Sequence, residues 1–212
     1  MKARLLLAVA VLAFSACTKE KSKETPIKGT TCDYAPYFTG ATFSYNTVDG
    51  STDTLRYTLL VKGDSMISGQ PWRVLEDVDM GDKSLFRCGG GEYETMADFS
   101  DIPGAPADKF HTVYLRDNLP PGGSWTESVL VDIPILGKVN VTVTHTIIQK
   151  GAPKTTKQGQ TFDDVIGVRT EASVPPVYPA QEIFTNFYAK GVGLIQLESP
   201  TDTTYITSYV FP

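Results

Sequence analysis

Two histidines, three cysteines and a few acidic clusters are the residues of this 212-residue chain whose types suit chemistry. Nucleophilic catalysis needs a serine or cysteine within hydrogen-bond reach of a base that a third group orients. Only His111 and His145 offer an imidazole base, and no Gly-x-Ser-x-Gly elbow occurs. His145 stands on the apolar side of an alternating stretch. There a packed or cavity-lining histidine, bonded to a Thr or Tyr, is the ordinary outcome, and a ligand or catalytic group in a pocket is the sharper alternative. Glu76-Asp-Val-Asp-Met-Gly-Asp82 spaces oxygens at alternate positions, as calcium ligation does. Counted from Asp77, however, Gly81 falls one place early for an EF-hand, and Cys88 stands where the closing Glu belongs. The segment reads as a solvated hairpin turn. Asp163-Asp164 supplies two carboxylates, the pair that glycoside cleavage uses. Neighbours on a strand point to opposite faces, so these two do not flank one bond. Gly89-Gly-Gly91 lacks the Lys-Ser/Thr of a phosphate loop and reads as a turn. No Cys-x-x-Cys is present and the histidines are far apart, which argues against zinc. The expectation is a protein without catalytic residues, metal ligands or cofactor.

The chemistry that the sequence does suggest lies at Cys17. Lys2 and Arg4 precede an apolar run, Leu5 to Phe14, which ends at Ser15-Ala16-Cys17 and gives way to Thr-Lys-Glu-Lys-Ser-Lys-Glu. A run of ten is too short to span a bilayer, which takes roughly 20 residues. It has the flanks and length of a secretory signal. The segment resembles bacterial lipoprotein signal peptides, in which the cysteine is acylated and becomes the first residue of the mature chain. Phe14 stands where Leu is usual, and the small Ser15-Ala16 pair and Cys17 match. The resemblance implies cleavage after residue 16 and lipid attachment at Cys17, with an ordinary signal cut elsewhere as the alternative. Several acyl chains hold stably at about 0.8 kcal/mol per buried methylene, whereas one holds marginally. Residues 17–31 are rich in Lys, Glu, Ser and Thr and read as a flexible tether. By resemblance to bacterial sorting rules, Thr18 in place of Asp favours the outer membrane, on either its periplasmic or its surface face.

Loss of residues 1–16 takes Lys2 and Arg4 from the 19 basic residues and none of the 24 acidic ones, leaving a net charge near −7. Nucleic acid needs a basic footprint and is excluded as a partner. Residues 32–212 suffice for one domain with a real core. Cys32 and Cys88 form an even pair in an exported chain, where an oxidising compartment favours a disulfide. The alternative is two free thiols with Cys88 in the core.

The elements that must position these residues are strands. Leu55, Tyr57, Leu59 and Val61 alternate with Thr54, Arg56, Thr58 and Leu60. From Val139 to Gln149, Val139, Val141, Val143, His145 and Ile147 share one face, and Asn140, Thr142, Thr144 and Thr146 the other. Period-two alternation of β-branched residues is the mark of a half-buried strand. Further strands are expected at 72–78, 111–116, 162–174, 183–189, 194–197 and 204–211. Turns are expected at Asp49-Gly50, Met80–Asp82, Pro120–Gly123, Lys150–Pro153 and Pro175-Pro176. Residues 97–109 read as a long loop, and no window after the signal has helical periodicity. The expectation is an all-β domain: one antiparallel meander of about ten strands, too long to stay flat and therefore strongly curved into a half-barrel or barrel.

Tyr37-Phe-Thr-Gly-Ala-Thr-Phe-Ser-Tyr45 resembles the opening Phe-Pro-Leu-x-x-Gly-x-x-Trp-x-Tyr of a group of largely uncharacterised Gram-negative lipoproteins. Gly40 is kept, and Phe43 replaces Trp. Val61 to Trp72, Gly159 to Val168 and Phe187 to Ile195 resemble the group's later motifs. The resemblance implies an exported β-rich domain, distantly like the half-barrels of lipoprotein carriers but without evident covering helices, and it implies no reaction. With no catalytic set and a wealth of aromatics, two functions are expected. The first is binding or carriage of a hydrophobic small molecule on the concave face, lined by Tyr57, Leu59, Val141, Val143 and His145. The second is an accessory or structural subunit of an envelope complex, with an envelope protein as partner. In both, the membrane is engaged through the lipid anchor.

Overall fold

The computed structural model describes residues 32–49, 52–97, 110–133 and 137–212, which hold twelve strands and no helix. The signal, Cys17, the tether and residues 98–109 of the expected loop lie outside the described residues. The strands are β1 (Thr42–Asp49), β2 (Thr52–Ile67), β3 (Gln70–Asp77), β4 (Lys83–Gly89), β5 (Glu92–Ala97) and β6 (Phe110–Arg116). They continue with β7 (Ser124–Ile133), β8 (Gly137–Thr155), β9 (Thr161–Val174), β10 (Tyr178–Ala189), β11 (Gly193–Glu198) and β12 (Asp202–Val210).

All twelve belong to one antiparallel sheet of order β6-β5-β4-β3-β2-β1-β12-β11-β10-β9-β8-β7. Each neighbour pair is a hairpin except β1–β12, where the first strand pairs with the last, Phe43 opposite Tyr209 and Thr47 opposite Thr204. The sheet edges are therefore β6 and β7, consecutive in the chain and close in space. No backbone ladder joins them. Instead the Trp125 indole N–H donates to the Val113 carbonyl at 2.8 Å, and the Val113 N–H donates to Glu127 Oε1 at 2.8 Å. A seam bridged by side chains thus nearly closes the sheet into a barrel and satisfies edge groups that would otherwise invite a foreign strand.

The core has two lobes. Phe43, Tyr45, Val61, Leu75, Phe187, Ile195 and Ile206 form one, and Tyr93, Leu115, Trp125, Ile147, Ile166, Val168 and Tyr188 form the other. Tyr37 and Leu194 pack against both. Residues 32–41 cross one end of the barrel as a plug. Cys32 is disulfide-bonded to Cys88 on β4, the Gly191 N–H donates to the Asp33 carbonyl, and the Tyr34 hydroxyl donates to Asp164. The Tyr37 carbonyl accepts from Arg73. At Gly193 (φ +102°) an added Cβ would stand 3.5 Å from the Tyr37 ring, so the plug lies directly on this backbone. The β4–β5 and β10–β11 hairpins turn at this plug end. In an antiparallel meander β7–β8 and β9–β10 then turn at the far end.

Several expected turns and strands are redrawn. The backbone at Lys150–Pro153 stays in strand, because β8 absorbs register shifts between Ile147 and Lys154 and turns only after Thr155. Strands β1, β4, β5 and β7 add to the expected set.

Candidate functional site

Along β8 the inward residues change character with depth. Val139, Val141 and Val143 are half-buried, whereas His145 and Ile147 are buried. The same gradient runs down β9, where Ala172 and Val174 are half-buried and Thr170 and Val168 buried. The barrel is therefore filled at the plug end and opens towards the far end. At that mouth Val141, Ala172, Ser173, Val174, Tyr178, Pro179 and Gln181 line an open groove of about 390 Å³. Tyr178, 56% exposed, forms part of its wall.

Below the groove lies a polar layer. His145 pairs across the sheet with Trp125 on β7 and Thr170 on β9. Its ring stacks on the Trp125 indole at 5.0 Å, and Nδ1 lies 3.0 Å from the Thr170 hydroxyl. Nε2 stands 3.8 Å from Glu127 Oε2 and has no hydrogen-bond partner. Glu127 also accepts from the Thr112 hydroxyl of β6. Burial alone would raise the Glu127 pKa. The neighbouring His145 ring, the Thr112 hydroxyl and the Val113 N–H outweigh it and leave the carboxyl below its ordinary value.

Thr170, His145 and Glu127 follow in the order of a nucleophile, a base and an orienting carboxylate. The hydroxyl belongs to a residue only 2% exposed and His145 to one 4% exposed. Glu127 bridges the β6–β7 seam through Val113 and Thr112, and Thr170 fixes the His145 ring beside it.

The sequence-named residues are dispersed. Tyr57 and Leu59 pack on the first core lobe, Tyr57 stacked on Tyr45 at 5.3 Å. Val141 reaches the groove, while His145 lies deeper. His111 is on the outer face, bonded to Glu94, which Arg87 also holds at 2.6 Å, with the Trp72 ring edge-on at 5.7 Å. Asp77 accepts from the Asp79 and Met80 N–H groups, closing the β3–β4 turn. Asp164 serves the plug. Among the described residues no three His, Cys, Asp or Glu side chains converge on a metal position. Glu127, Thr112 and Thr170 went unnamed in the sequence because their meeting depends on the β6–β7 seam, which no local pattern encodes.

No family model and no curated protein matches this chain. Among solved structures, a "putative lipoprotein" from Parabacteroides distasonis is similar with a TM-score of 0.49 and 14% identity, over 84% of this chain and 98% of that one. A "putative exported protein with YmcC-like fold" from Bacteroides fragilis is similar with a TM-score of 0.46 and 13% identity, over 82% of this chain and 97% of that one.

Proposed function

We propose that the mature chain is a non-catalytic, lipid-anchored protein of the cell envelope, held in the outer membrane through Cys17, that binds a hydrophobic small molecule at the barrel mouth. The anchor rests on the apolar run that stops at Cys17, and a disulfide between Cys32 and Cys88 suits a chain folded in an oxidising compartment. The observation that carries the binding reading is the depth gradient on β8 and β9, which ends in an apolar groove of about 390 Å³. Pockets that take small ligands run from about 300 to 1,000 Å³ with mostly apolar walls. The concave face serves here only at its outer end, because the inner part is filled by its own side chains.

Native mass spectrometry of the exported chain tests this. The expected result is a co-purified amphiphile, retained by the wild type and lost by Ala172→Trp, which fills the groove. A wild-type chain free of small molecules that instead cross-links to one envelope protein through Tyr178 would establish the accessory-subunit reading.

A further inference from the structure

The plug end carries an aromatic patch that the binding reading does not use. Phe38, 57% exposed, meets Phe211 edge-on at 5.8 Å, and Tyr209 meets Phe211 at 5.6 Å. Phe211 is itself half-buried and rests on Phe43 of the core at 6.0 Å. The patch is therefore a rigid surface with an inner root. Two further observations say what lies against it. The Cys32–Cys88 disulfide fixes the point where the chain enters the folded body at this same end. Cys17 precedes Cys32 by fifteen residues, a length that spans at most about 50 Å even when fully extended. The end that bears Phe38 is thus the end to which the tether is attached.

We infer that the plug end docks on the bilayer, with Phe38, Tyr209 and Phe211 seated in the headgroup interface and the barrel mouth turned away. Aromatic side chains with one apolar and one polar side concentrate at that depth. Tyr209 has this form, and the Phe38 ring gains by leaving water. The plug already seals this end, so docking covers no opening. The inference rests on the lipid anchor at Cys17 proposed above.

The test uses the full, processed chain with Phe38→Cys or Val177→Cys, the latter an exposed position by the mouth. Each introduced thiol carries an environment-sensitive fluorophore, and the protein is reconstituted on phosphatidylethanolamine/phosphatidylglycerol vesicles containing nitroxide-labelled lipid. The expected result is several-fold stronger quenching and a blue shift at position 38 relative to position 177. A chain that fails to float with the vesicles defeats the anchor and the docking together. A chain that floats, but is quenched equally at both positions or more at 177, defeats the docking alone. A blue shift at 38 that needs no vesicles and grows with protein concentration would assign the patch to a second copy and overturn the membrane contact.

Discussion

At the scale of single residues, Glu127 does the most with the least. One carboxylate takes the Val113 N–H and the Thr112 hydroxyl of the opposite sheet edge and stands beside His145. A hydrogen bond to a charged group is worth about 1.5–3 kcal/mol. Glu127→Gln keeps the shape and removes the charge, and about 2 kcal/mol of stability at pH 7 should go with it. The pH dependence has a definite sign. The folded carboxyl titrates below its unfolded value of about 4.3, so the unfolded chain binds the proton first as acid is added. The contribution is complete above that value and disappears as pH falls through the lowered one. Urea unfolding of the wild type and Glu127→Gln should therefore differ at pH 7 and converge in acid, once the folded carboxyl is protonated; a gap that persists there would give Glu127 no charge-dependent role.

At the scale of elements, the plug is the segment whose attachment is most easily cut. The disulfide closes a separation of 56 residues, and the chain-entropy model assigns such a loop about 4 kcal/mol. Cys32→Ser should lower the unfolding midpoint accordingly. It should also raise amide exchange at Tyr34 and Gly191 before β9 or β10 exchanges, because the plug loses its covalent tie while the sheet keeps its ladders. Equal acceleration throughout would mean that the plug and barrel form one cooperative unit. The elements also show which parts were legible beforehand. Residues 139–147 announce a strand because one face is apolar and the other rich in threonine. β4 and β5 were obscured because charges such as Arg87 and Glu94, which pair across the two strands on their outer face, leave little apolar alternation. β7 was obscured by Glu127, a charge pointing inward between Trp125 and Val129. A hydropathy pattern records one face at a time, and these charges are satisfied by partners on other strands. Tyr178 and Gln181 reach the groove through the β9–β10 turn, which no single strand pattern marks.

At the scale of the whole molecule, tyrosines share the interior with the aliphatics. Burial, and then the charge of Asp77, pushes the Tyr57 hydroxyl up to about 12, and burial also lifts Tyr37, Tyr45, Tyr114 and Tyr188. Above pH 10 the unfolded chain gives up these protons while the folded chain keeps them. Stability should then fall by about 1.4 kcal/mol per pH unit for each tyrosine, until the folded groups titrate. Phenolate absorbance and the far-ultraviolet β signal should change together in one steep step between pH 10 and 12. Gradual ionisation near pH 10 with the sheet intact would show that the ring cluster is open to hydroxide.

The pairing of Thr42–Asp49 with Asp202–Val210 has a consequence in time as well as in space. Strand β1 is synthesised early, and its second neighbour β12 only after every other strand of the sheet. Until β12 follows, one border of β1 stays bare, so the ring cannot lock before Asp202–Val210 is made. A chain shortened before Asp202 would be left with two raw borders, on β1 and β11, instead of a hinge, a natural substrate for chaperones and proteases.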